Sequence, residues 1–166
     1  MQFKFSYKLL IVLLLSGVFV NANANANANA TIQTVKDMRE LNRQASDADL
    51  PVLLLMTSKD CEYCKAVRDN YLLPMIKSGA YQNKILFRQL YIDEYDYLRN
   101  EKGELIAGDQ VALKYDVEIT PVILFINAQG QEVAERLVGI SVADYFDKTL
   151  ETHILEAQKN NPRYTN

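Results

Sequence analysis

The chain has 166 residues with 18 basic and 21 acidic side chains, one histidine, two cysteines and no tryptophan. A formal net charge of −3 without any basic run argues against nucleic acid or an anionic membrane as a partner. No glycine-rich phosphate loop and no His-Glu-x-x-His zinc helix occurs, which sets aside the commonest nucleotide-dependent and zinc-hydrolase readings.

The first thirty residues read as a targeting segment. Met1 to Lys8 carries Lys4 and Lys8 and no acid, and Leu9 to Val20 ("LLIVLLLSGVFV") is an apolar run of 12 residues. Asn21 to Ala30 ("NANANANANA") then repeats an Ala-x-Ala cleavage pattern. Such a charged, apolar and small-residue succession is a secretory signal peptide. As a helix the apolar run would rise about 18 Å against a hydrocarbon core of roughly 30 Å, too short for a stable membrane anchor. The Asn-Ala tract also has the composition of a solvated linker. Residues 31–166 then form one domain, expected to be periplasmic or secreted. They hold 16 bases against 21 acids, a net charge of −5.

Along that domain, Thr34 to Asp47 places Val35, Met38, Leu41 and Ala45 at helical spacing, with Thr34 as the expected N-cap. Pro51 opens "PVLLLMTS", a continuous apolar run that suits a strand buried on both faces. "CKAVRDNYLLPMIKSGAY" reads as helical with an interruption near Pro74, and Ile85 to Asp93 as a second strand. The segment at about 95–108 is irregular, with a small hairpin expected about Lys102-Gly103 before the helical "DQVALKYDV". "PVILFINAQGQEVAERLVG" reads as a hairpin turning at Gln129-Gly130. Val142 to Gln158 closes the chain as an amphipathic helix with Tyr145, Phe146, Leu150, Ile154 and Leu155 inward. Strands separated by helices give parallel pairs, and the last hairpin adds antiparallel strands. The fold class is α/β: a central mixed sheet flanked by helices.

The chemistry rests on "SKDCEYCK", which holds the only two cysteines, Cys61 and Cys64. A zinc site needs four ligands, and the chain offers two thiols and the distant His153. A structural staple so short would constrain the unfolded chain very little. The third reading is a thiol exchange pair where a buried strand meets a helix. Cys61 at the helix N-terminus is the attacking thiolate, and Cys64 one turn further in is the resolving thiol. Asp60 and Glu62 flank Cys61 and tune it, since nearby like charge disfavours the anion. His153 and the acids Asp93, Glu94 and Asp96 read as ordinary surface and turn residues.

These elements and residues resemble the thioredoxin fold over roughly Pro51 to Leu155. The resemblance rests on "VLLLMTSKDCEYCK", on "YDVEITPVILFI" and on "QGQEVAERLVGI". Within it the chain is most similar to exported thioredoxin-like proteins with Cys-x-Tyr-Cys centres, including the SoxW type, which share an extra segment where 95–108 stands here. The resemblance implies a cis-proline at Thr120-Pro121, facing the cysteines 57 residues after Cys64. It also implies thiol-disulfide oxidoreductase activity. Lacking a donor at Pro121, Thr120 would offer its backbone to an extended substrate, with Tyr63 shaping the rim. The chain departs from thioredoxins in having Asp60 where they keep Trp, Leu55 where they keep a buried Asp, and Gln89 where a buried Lys is common.

The expected activity is therefore reduction of protein or peptide disulfides, resupplied by a membrane or periplasmic electron donor. No organic cofactor or metal is called for, because the Cys61-Cys64 pair itself carries two electrons. Alternatives from other classes are a peptide-binding module with a locked disulfide, or a disulfide-forming oxidant.

Overall fold

Two strands are buried at every position and apolar throughout except for Thr57, and the sheet is built around them. In a computed structural model, which describes residues 30–93, 95–140 and 145–162, β2 (Val52–Thr57) and β6 (Val122–Ile126) are buried throughout and pair antiparallel. The leader expected over residues 1–30 lies outside the described residues except for Ala30. The sheet runs β1 (Gln33–Thr34), β3 (Leu86–Tyr91), β2, β6, β7 (Glu132–Val138). β1–β3 and β3–β2 are parallel; β2–β6 and β6–β7 are antiparallel.

A strand buried on both faces needs cover on both, and helices supply it. Val52, Leu54 and Met56 with Val122, Leu124 and Ile126 face one core, closed by Met38, Leu41 and Ala45 of α1 (Met38–Ala48) and Val111 and Ala112 of α4 (Gly108–Lys114). Leu53, Leu55, Ile123 and Phe125 face the other, under Val67 of α2 (Glu62–Val67), Leu72, and Phe146, Leu150, Ile154 and Ala157 of α5 (Phe146–Asn160). This is the period-two alternation of strands with neither face left to water.

Several local expectations change. The cap of α1 is Asp37, whose carboxylate accepts from the Arg39 N–H at 2.9 Å; Thr34 is drawn instead into β1, opposite Gln89. β1 has only two residues, too few to show alternation in sequence. The interruption near Pro74 is a π-helical turn over Arg68–Leu72, where the Leu73 N–H reaches the Arg68 carbonyl before α3 (Leu73–Ser78). Proline brings no N–H and crowds the carbonyl four residues back, so a widened turn just upstream relieves it. On α5 the inward residues are Phe146, Leu150, Ile154 and Ala157. Tyr145 and Leu155 are exposed, and the start expected at Val142 lies outside the described residues.

The hairpin about Lys102-Gly103 is present as β4 (Tyr97–Arg99) and β5 (Leu105–Ala107), with Gly103 at φ 85° in the turn. Its inner face, Leu98 and Ile106, packs into the α1 core. Arg99 donates its N–H to the Lys36 carbonyl at 2.9 Å, fixing the hairpin to the start of α1.

Candidate active site

β2 ends at Thr57, and residues 58–60 carry the chain to Cys61, the N-cap of α2. The extended backbone of Cys61 (φ −103°, ψ 99°) turns its sulfur toward the opening of the helix, where Sγ accepts from the Cys64 N–H at 3.0 Å. Cys61 and Cys64 are joined by a disulfide, S–S 2.00 Å, with Cα atoms 5.2 Å apart. The two sulfurs differ in access: Cys61 is half-buried, whereas Cys64 is only 1 % exposed. A thiolate arriving from outside therefore meets Cys61.

Thr120 and Pro121 stand beside this loop, because β6 begins at Val122 opposite Met56 near the end of β2. The hydroxyls of Ser58 and Thr120 are 3.1 Å apart, Pro121 is buried, and the Thr120–Pro121 peptide is cis. Gly139, at φ 68°, donates its N–H to the Pro121 carbonyl at 2.8 Å, tying the end of β7 to the same place. Tyr63 is 71 % exposed on the first turn of α2, and Asp60 and Glu62 are exposed on either side of Cys61.

Sequence reasoning missed the other wall of the loop. The Lys59 N–H donates to Asp93 Oδ2 at 3.1 Å, and Lys59 Nζ pairs with Asp96 Oδ2 at 3.0 Å. Asp96 sits at the foot of the hairpin with a side chain only 16 % exposed, and its carbonyl accepts from the Gly108 N–H at 2.7 Å. The Asp96 carboxylate paired with it raises the Lys59 pKa above its ordinary value, reinforced by the charges of Asp93 and Asp60. Asp93 and Asp96 read as turn acids in sequence, and nothing in their pattern marks the contact to Lys59.

Leu55 and Gln89 face each other in the β2–β3 register. The two positions at which thioredoxins keep internal charges are thus both neutral, which is consistent, since one buried charge without the other is costly. Gln89 donates Nε2 to Thr34 Oγ1 at 3.0 Å, and its buried Oε1 has no hydrogen-bond partner among the described residues. His153, expected on the surface, is half-buried, with Nδ1 2.6 Å from the Glu135 carbonyl and its ring over Phe125. It fastens α5 to β7, away from the cysteines.

A family model described as a thioredoxin-like domain matches residues 38–154. The chain belongs to the thioredoxin-like family. Among solved structures it is similar to mitochondrial thioredoxin 3 of Saccharomyces cerevisiae in the oxidised form, at 18 % identity and TM-score 0.53, covering 75 % of this chain and 94 % of that one. Spinach chloroplast thioredoxin f is similar at 21 % identity and TM-score 0.53, covering 76 % and 86 %. The Malassezia sympodialis thioredoxin is similar at 16 % and 0.54, covering 81 % and 99 %. No curated protein matches the chain. At these identities the neighbours establish the thioredoxin fold. A thioredoxin-like fold bearing a disulfide-forming Cys-x-x-Cys pair points to thiol-disulfide redox function.

Proposed function

We propose that this protein is an exported thioredoxin-like reductase of protein disulfides, of the SoxW type, in which Cys61 attacks and Cys64 resolves. The observation that carries the reading is the asymmetry of the pair: Cys61 is accessible at the helix cap, and Cys64 is buried behind it. In the reduced protein the Cys61 thiolate attacks one sulfur of a client disulfide, forming a mixed disulfide and releasing the other as a thiolate. The Cys64 thiolate then attacks Cys61 Sγ, the client's second sulfur leaves as a thiolate that takes up a proton, and the Cys61–Cys64 bond closes. The client gains two electrons and the pair loses them. A dithiol donor of the membrane or periplasm returns the pair to its reduced form, and no organic cofactor or metal enters the cycle. Thr120 and Pro121 would hold an extended client segment beside Cys61, with Tyr63 at its rim.

The direction follows from the charges around Cys61. The Cys64 N–H donated to its sulfur favours a thiolate, which makes a disulfide more oxidising. Asp60 and Glu62 oppose that, and the nearest base in sequence, Lys59, is bound to Asp96. The expected potential is nearer thioredoxin's, about −270 mV, than a strong oxidant's, about −120 mV. Equilibration with glutathione buffers measures it. A value above roughly −150 mV assigns the protein to disulfide formation, and a pair that resists physiological reductants assigns it to peptide binding. Cys64→Ser should accumulate mixed disulfides with clients through Cys61; capture through Cys64 in Cys61→Ser instead would reverse the roles.

A further inference from the structure

The segment before the cysteines is held from the hairpin by two acids, and one of them holds a charge. Lys59 lies two residues from Cys61, yet its ammonium is 3.0 Å from Asp96 Oδ2 and its N–H is bonded to Asp93 Oδ2. Asp96 is largely buried, anchored by Asp93 O accepting its N–H at 3.0 Å and by its own carbonyl accepting from Gly108 at 2.7 Å. The hairpin behind it is fixed in the α1 core by Leu98. Asp96 therefore cannot follow Lys59 outward, so Lys59 must come to it.

We infer that Lys59 and Asp96 form a charge clasp that positions the redox loop and withholds the lysine's positive charge from Cys61, keeping the disulfide reducing. The inference rests on the thiol-exchange reading of Cys61 and Cys64. The Asp96 carboxylate, of low exposure, meets a cation there, and removing either partner leaves the other unmatched. The groups facing Cys61 along the loop are then Asp60 and Glu62, both exposed, with Lys65 on the outer side of α2. A free Lys59 would offset one of those acids. A paired Lys59 still feels Asp60, but its charge is countered by Asp96 and offsets the acids less.

A charge cycle tests this. Asp96→Asn leaves Lys59 uncompensated, so the Cys61 thiolate is favoured: its alkylation profile should move to lower pH. The equilibrium constant with glutathione should shift about threefold toward an oxidising disulfide, equivalent to about 14 mV. Lys59→Met leaves Asp96 uncompensated and should move both readouts the opposite way. The double variant and Lys59→Arg, which keeps the pair, should stay near wild type. A clasp acting only as a mechanical support would move both single variants in one direction, and that outcome overturns the inference, as do unchanged values in singles that remain folded by thermal unfolding. If one single variant does not fold, the other single and the double variant still give the sign. A wild-type potential in the range of disulfide-forming oxidants would sink the reductant reading while leaving the cycle free to confirm or refute the clasp.

Discussion

The redox loop is held by two walls of different kinds. On the β6 side the contact is neutral, a hydroxyl pair between Ser58 and Thr120 at 3.1 Å. On the hairpin side it is ionic, with Asp93 on the backbone of Lys59 and Asp96 on its ammonium. A neutral contact fixes position and leaves the sulfur's protonation alone; a charged one fixes position and changes the field as well. The difference teaches that geometry and redox poise can be set separately in this loop.

The largest effect should come from breaking the ionic wall at its base. A methyl group on Gly108 would lie 2.0 Å from the Tyr91 carbonyl oxygen, so Gly108→Ala must displace backbone. We expect a loss of about 2–4 kcal/mol, read by urea unfolding, together with a potential shifted as Asp96→Asn shifts it. A stable Gly108→Ala protein with an unchanged potential would break the comparison. The acids beside the sulfur come next. Replacing Asp60 and Glu62 together by Asn and Gln should lower the Cys61 thiol pKa by up to about one unit and make the disulfide more oxidising by up to about 30 mV. Alkylation rates against pH, with glutathione equilibration, measure both.

Thr120→Val sharpens the neutral side. It removes one hydroxyl partner and no charge, so stability should fall by about 1 kcal/mol while the potential stays at the wild-type value. A shifted potential would show that the two walls are not distinct. The smallest effect lies behind the hairpin, at the cap of α1. The Arg39 side chain bonded to Asp37 holds its carboxyl down to about 2. A carboxylate whose folded pKa is depressed contributes stability above its ordinary range near 4 and loses it as pH falls toward 2. Asp37→Asn should lower the urea midpoint slightly at pH 7, converge with wild type near pH 2, and so flatten the decline between about pH 4 and pH 2. An undiminished decline would assign it to other carboxylates.

The neutral wall was legible in the sequence and the ionic one was not. "VLLLM" and "VILFI" declare themselves as interior strands because every position is apolar. The cysteine spacing and Thr120-Pro121 are local patterns at the ends of those strands. Lys59, Asp93 and Asp96 carry no such signature: a lysine and two turn acids look alike whether solvated or paired, and only the tertiary fold brings them within 3.1 Å. The same holds for β1, whose two residues are strand only because Gln89 offers them a partner. Tyr145 and Leu155 misled the reading of the last helix because apolar spacing fixes a stripe but not its width. Ala157 took the inward place that Leu155 was expected to fill.

The two central strands also constrain how the chain can be made. Val52 pairs with Ile126 and Met56 with Val122, partners far apart in sequence. Until Ile126 is available, "VLLLMT" has an unpaired edge and no complete cover on either face, and such low-charge, high-β segments readily associate between chains. The first half can pair β2 with β3 and cover one face with α1, but the edge that β6 fills stays open until Ile126 has emerged. The same antiparallel pairing that centres the finished sheet leaves the nascent chain one open strand edge until its second half arrives.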